Sequence, residues 1–110
     1  MELCERLAYA EECFPFNDET LVYKIGGKIF AIIPLEEIGI IILKHPSEAI
    51  TDLKESQPGI TEPAYLSRKH WIKVDTKHHD MQRLIKNWIE MSYSLVLTGL
   101  PKKEQQKYLT

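Results

Sequence analysis

Two adjacent glycines, Gly26 and Gly27, stand between two stretches suited to extended backbone. Thr20 to Ile25 and Lys28 to Ile33 are rich in β-branched and aromatic residues. Glycine adopts positive φ without steric cost, and a two-residue hairpin turn demands it. The pair therefore predicts an antiparallel hairpin early in the chain. Its register sets Ile25 opposite Lys28, Tyr23 opposite Phe30 and Leu21 opposite Ile32, with Tyr23 and Phe30 neighbours on one face. The second face carries Val22, Lys24, Ile29, Ala31 and Ile33. Both faces are apolar, so part of the second is expected to be covered too.

The other elements follow from period and punctuation. Glu2 to Cys13 reads as an amphipathic helix with Leu3, Leu7 and Ala10 (or Ala8) inward and the glutamates outward, ended by Phe14-Pro15-Phe16. Ile38 to Lys44, with four isoleucines, reads as a third, buried strand of a meander, Gly39 marking a bulge or close approach. Pro46 opens a helix with Ala49, Ile50 and Leu53 on its buried stripe, closed by Pro58-Gly59. Trp71 to Asp75 alternates as a fourth strand, Ile72 and Val74 facing the core. Asp80 to Thr98 is the longest helix, capped by Asp80, with Gly99 at its C-terminal end and a frayed polar tail beyond. The order α-β-β-β-α-β-α predicts an α+β, two-layer sandwich with helices packed on one face of an antiparallel sheet, one domain over residues 1–110.

With 110 residues the chain holds one real core but not two. No apolar run approaches the ~20 residues that span a bilayer. Met1 to Arg6 lacks the basic region of a signal peptide, which points to the cytoplasm. Cys4 and Cys13, if on one helix, lie about 13 Å apart at ~1.5 Å per residue. A disulfide does not close that gap, and unpaired thiols suit a reducing compartment.

The formal net charge of −2 argues against a broadly basic nucleic-acid binder. The charge is uneven, however. Glu2, Glu5, Glu11, Glu12, Asp18 and Glu19 face only Arg6 in the first nineteen residues, while Ser67 to His79 holds Arg68, Lys69, Lys73 and Lys77 against Asp75. Pro58 and Pro63 keep the approach to Arg68-Lys69-His70-Trp71 extended. Cations beside an indole hold phosphate and stack on flat rings. Lys24 and Lys28 flank the hairpin turn and extend that patch. Trp71 shares the polar side of its strand with Lys73, although a large aromatic is more often a core anchor. His70, His78, His79 and Asp80 are the best metal-like set, but adjacent histidines do not share a helix face, and solvated loop histidines are the simpler account. No nucleophile elbow, phosphate loop or acid-base pair is present, so no catalytic role and no cofactor is expected.

Phe14-Pro15-Phe16 with Thr20 to Ala31, Leu43-Lys44 with Pro46 to Ala49, and Gln57 to Ile60 with Pro63-Ala64-Tyr65 and Lys69-His70-Trp71 resemble, in order, segments of the YjbR/MmcQ family of small bacterial proteins. Ser92 to Val96 and Gly99 to Lys102 resemble its last helix and exit. The resemblance implies a frataxin-like fold. It also implies the family's usual label of DNA-binding protein, from a saddle-like sheet surface similar to the double-wing domain of a phage transcription factor. His45 departs from the acidic helix cap frequent among relatives.

The leading expectation is a non-catalytic, cytoplasmic, monomeric DNA-binding or regulatory module. Its contact set is Lys24, Lys28, Arg68, Lys69, His70, Trp71 and Lys73, and its partner double-stranded DNA. One alternative is a protein-interaction module anchored by Trp71 and Tyr65. Another is frataxin-like metal handling by the acidic first helix.

Overall fold

The computed structural model describes residues 4, 7, 9–14, 19–64, 66–78 and 81–108. The chain order is β1 (Glu11–Cys13), β2 (Thr20–Ile25), β3 (Lys28–Pro34), β4 (Ile40–Lys44), α1 (Ser47–Ser56), β5 (Ile60–Thr61), β6 (Trp71–Asp75), α2 (Met81–Thr98) and α3 (Lys102–Gln106). All six strands form one antiparallel sheet in the order β1-β2-β3-β4-β6-β5. The fold is mixed α+β.

The two faces of the sheet can be read as rows across the strands. Tyr23, Ala31, Leu43 and Ile72 are paired in turn, and all are buried in the main core. That core is completed by Ile50 of α1 and by Met81, Ile85, Trp88, Ile89, Val96 and Leu97 of α2. The next row, Cys13, Val22, Ile32, Ile42, Lys73 and Thr61, spans all six strands on the opposite face. Val22 is buried there, as the apolar character of the expected second face implies, but the bulge exchanges its neighbours: Ile32, expected beside Leu21, is buried on this face, while Ala31 joins the main core and Ile33 packs against it. Pro63 is buried as well, and with Ala64 and Leu66 it bounds a cavity of about 480 Å³ floored by Ile32 and Ile42. The loop after β5 therefore roofs part of the second face.

The hairpin forms at the glycine pair, with φ of 59° at Gly26 and 79° at Gly27. Ile25 pairs with Lys28 as expected, but Tyr23 pairs with Ala31 and Leu21 with Ile33. A bulge at Tyr23/Lys24 absorbs Phe30 as an extra residue, so the register shifts by one beyond the turn. The rings of Tyr23 and Phe30 still meet, 6.4 Å between centroids. Gly39 has φ of 85°, and a Cβ there would lie 2.9 Å from Lys77 Cγ, which fits the expected close approach.

Three expectations change. Glu11–Cys13 is an edge strand against β2 rather than the end of a helix, so Cys4 and Cys13 do not share one helix. The polar tail forms α3. Gly99 ends α2 without a positive φ, and Gln105 Nε2 donates to the carbonyls of Thr98 (3.1 Å) and Leu100 (2.7 Å) instead. The cap expected from Asp80, like Tyr65 and His79, lies outside the described residues. Among the described residues no helix is long and apolar enough to cross a membrane.

Candidate nucleic-acid interface

Lys24, Lys44 and Trp71 point to the second face, because each neighbours a core residue in its strand: Tyr23, Leu43 and Ile72. Lys44 and Trp71 are direct cross-strand partners, and Lys24 is paired with Ile29. With Lys28 and the turn residue Gly27 they line a concave site of about 480 Å³ at the hairpin end of the sheet. Its inner wall reaches Val96 and Gly99, at the C-terminal end of α2.

Next to this site the β3–β4 ladder is short. The β3–β4 ladder contains Ile32↔Ile42 and Ala31↔Leu43 and goes no further. In the next position the Ser92 hydroxyl is inserted between the strands. It donates to the Phe30 carbonyl (2.6 Å) and accepts from the Lys44 N–H (2.8 Å). The two strands are thus held apart by one oxygen where a direct backbone bond would draw them together.

Trp71 is half-buried at this site, and Lys28 is exposed on its rim. Among the described residues, none of Lys24, Lys28 and Lys44 makes an ion pair. The backbone at Trp71 is anchored to the preceding loop, since its N–H donates to the Ser67 carbonyl at 3.0 Å. The His70 carbonyl accepts from the His45 N–H at 2.9 Å, tying the same loop to the start of α1.

The remaining predicted contacts lie elsewhere. Arg68 and Lys69 are exposed and line a separate hollow with Glu62 and Ser67. Arg68 is paired with Glu62 at 3.4 Å, and Lys54 reaches the same carboxylate at 2.7 Å. The hydrogen bond from Lys54, reinforced by Arg68, holds the Glu62 carboxyl below its ordinary range. Lys73 is committed to Glu37 at 3.0 Å beside the roofed apolar cavity. The side chain of His70 is exposed and lines neither hollow. The predicted set therefore divides: Lys24, Lys28 and Trp71 come together, Arg68 and Lys69 form a neighbouring group, and Lys73 is held apart. Sequence reading missed Lys44, whose proximity to Trp71 depends on the β4–β6 register.

For the metal alternative, Glu11 and Glu12 stand on β1, and Glu12 Oε2 accepts from the Tyr23 hydroxyl at 3.1 Å. Glu2, Glu5 and Asp18 lie outside the described residues. Among the described residues, no three His, Cys, Asp or Glu side chains group closely enough to hold a metal ion.

Known proteins carry the same chain pattern. An uncharacterised protein of Escherichia coli O157:H7, YbdF, is 33% identical over 106 residues, covering 96% of this chain and 87% of its own. The crystal structure of Deinococcus radiodurans DR2400, a DUF419 domain, superposes with a TM-score of 0.85 at 29% identity, covering 96% of this chain and 82% of that one. A Pseudomonas syringae protein shares the fold with a TM-score of 0.71 at 24% identity, covering 86% and 93%. The family model YjbR matches residues 5–95, which takes in the whole sheet and most of the long helix, and the chain belongs to the YjbR family.

Proposed function

We propose that this protein is a non-catalytic nucleic-acid-binding module that contacts the phosphate backbone through the hairpin end of its sheet. The observation that carries this reading is the group Lys24, Lys28 and Lys44 around a half-buried Trp71. Three lysines that make no ion pair among the described residues are open to an anion. Arg68 and Lys69 extend the positive surface along the loop that leads into Trp71. The reading includes a frataxin-like sandwich, supported by α1 and α2 contributing to one core on one side of an antiparallel sheet. It also includes a cytoplasmic monomer without a cofactor.

Phosphate contacts position a protein without reading sequence, and each one releases counterions. Three contacts give about a 40-fold loss of duplex affinity between 50 and 200 mM salt. Fluorescence anisotropy of a labelled mixed-sequence duplex tests this. Lys24→Glu/Lys44→Glu is expected to abolish binding, and Arg68→Glu/Lys69→Glu to weaken it. Binding that does not change with salt refutes the proposal. A second reading, a protein partner anchored on Trp71, draws on the same half-exposed indole. It gains if nucleic acid is not bound and Trp71→Ala removes a partner captured by wild type.

A further inference from the structure

Resting on the reading of the hairpin-end site as a phosphate-binding surface, we infer that its preferred occupant is a single-stranded nucleic-acid segment, with one unpaired base stacked on Trp71.

The inference comes from where the ring sits relative to the charges. Trp71 is half-buried, whereas Lys28 stands exposed at the rim of the same cavity. The same hollow takes in Val96 and Gly99 at the C-terminal end of α2, next to the place where Ser92 bridges Phe30 and Lys44. Its 480 Å³ falls within the range of small-ligand pockets, roughly 300–1,000 Å³. The site thus joins an aromatic ring to three lysines in one hollow.

A duplex has little use for that surface. Its bases are stacked on one another, so it presents phosphates and groove edges but no free base face. Flipping one base out costs a few kcal/mol. An unpaired strand presents a phosphate and an open π-face together, and both elements of the site are then engaged. Arg68 and Lys69, just upstream of Trp71 in a loop held through the Ser67 and His70 carbonyls, add exposed cations next in sequence to the ring, Arg68 already paired with Glu62. The stacking surface is sequence-tolerant, since every base has a π-face.

The test compares a labelled mixed-sequence single strand with its own duplex, at one salt concentration, by anisotropy. The wild type is expected to bind the single strand more tightly. Trp71→Ala should weaken the single strand by about 5- to 150-fold, the range of one lost base stack, and leave the duplex unchanged. Trp71→Phe should retain most of the affinity. Indole emission in the wild type gives a measurement that does not depend on a variant folding. It should be quenched by the single strand and not by the duplex, because Trp88, the other tryptophan, is only 8% exposed. Equal affinity for both forms, or loss of both alike in a folded Trp71→Ala, overturns the inference while the phosphate-binding proposal stands. No binding of either form at micromolar protein overturns both.

Discussion

Ser92 is the only polar residue among those buried on α2, and its exposure is zero. Its hydroxyl both donates and accepts, which lets it bridge a carbonyl and an N–H that have no other strand partner in that row. Ser92→Ala removes the bridge and leaves the buried Phe30 carbonyl and the part-buried Lys44 N–H without it. The expected cost is about 1–3 kcal/mol, read from urea unfolding; a variant with the wild-type midpoint would refute the bridging role. Among the described residues His45 is the other buried polar side chain, and its Nδ1 has no hydrogen-bond partner there. Burial holds its pKa below the ordinary histidine value, against an opposing pull from Glu48. The unfolded chain therefore takes up the proton more readily than the folded one. This contribution to stability is complete above an ordinary histidine pKa of about 6.5. It is lost as pH falls from there through the folded value. Thermal unfolding at pH 7.5 and 5.5 should show a lower Tm at the acid end, and His45→Leu should reduce the difference. Parallel curves for the two proteins would count against it.

At the scale of elements, the hairpin turn separates a conformational requirement from a packing one. Both turn glycines have positive φ, which a side chain adopts at a cost of about 1–2 kcal/mol. A Cβ on Gly27 meets nothing within 4 Å, whereas one on Gly26 lies 2.6 Å from Leu100 Cδ1. Leu100 is itself buried and has little room to yield. Gly26→Ala should lower Tm more than Gly27→Ala; equal losses would mean that Leu100 accommodates the methyl freely. The turn was legible in the sequence because its cause is local. The register beyond it was not, because Phe30 is accommodated as a bulge and its carbonyl is bound by a serine 62 positions away. The long helix, α1 and β6 declared themselves by period. Glu11–Cys13 carries the same acidic spacing as a helix face, and only pairing with β2 makes it a strand. Two residues of β5 are too few to show a period at all. The candidate site followed the same division. Lys24 and Lys28 flank a readable turn, and Trp71 begins a readable strand. Lys44 joined them through a strand pairing that no local pattern announces.

For the whole molecule, the C-terminal residues close the structure. Leu100 belongs to the main core, and Gln105 covers two carbonyls at the end of α2. The ring of Tyr108 meets Tyr9 edge-on at 5.2 Å, bringing the two ends of the described chain together. Burial, with Tyr9 and Tyr108 nearby, raises the pKa of Tyr93, whose ring packs edge-on against Phe30 at 5.3 Å. A chain ending at Thr98 should lose about 2–5 kcal/mol from Leu100 alone. It should also show faster amide exchange around Gly26. Unchanged exchange at the turn would mean that Leu100 fills space without holding the hairpin. The contact between Leu100 and Gly26 also orders events in time. The hairpin leaves the ribosome ahead of the residue that seals its turn, which arrives more than seventy positions later. At roughly 5–20 residues per second, the nascent hairpin waits roughly 4–15 s for that residue. Translation speed therefore sets how long the hairpin stands without its seal.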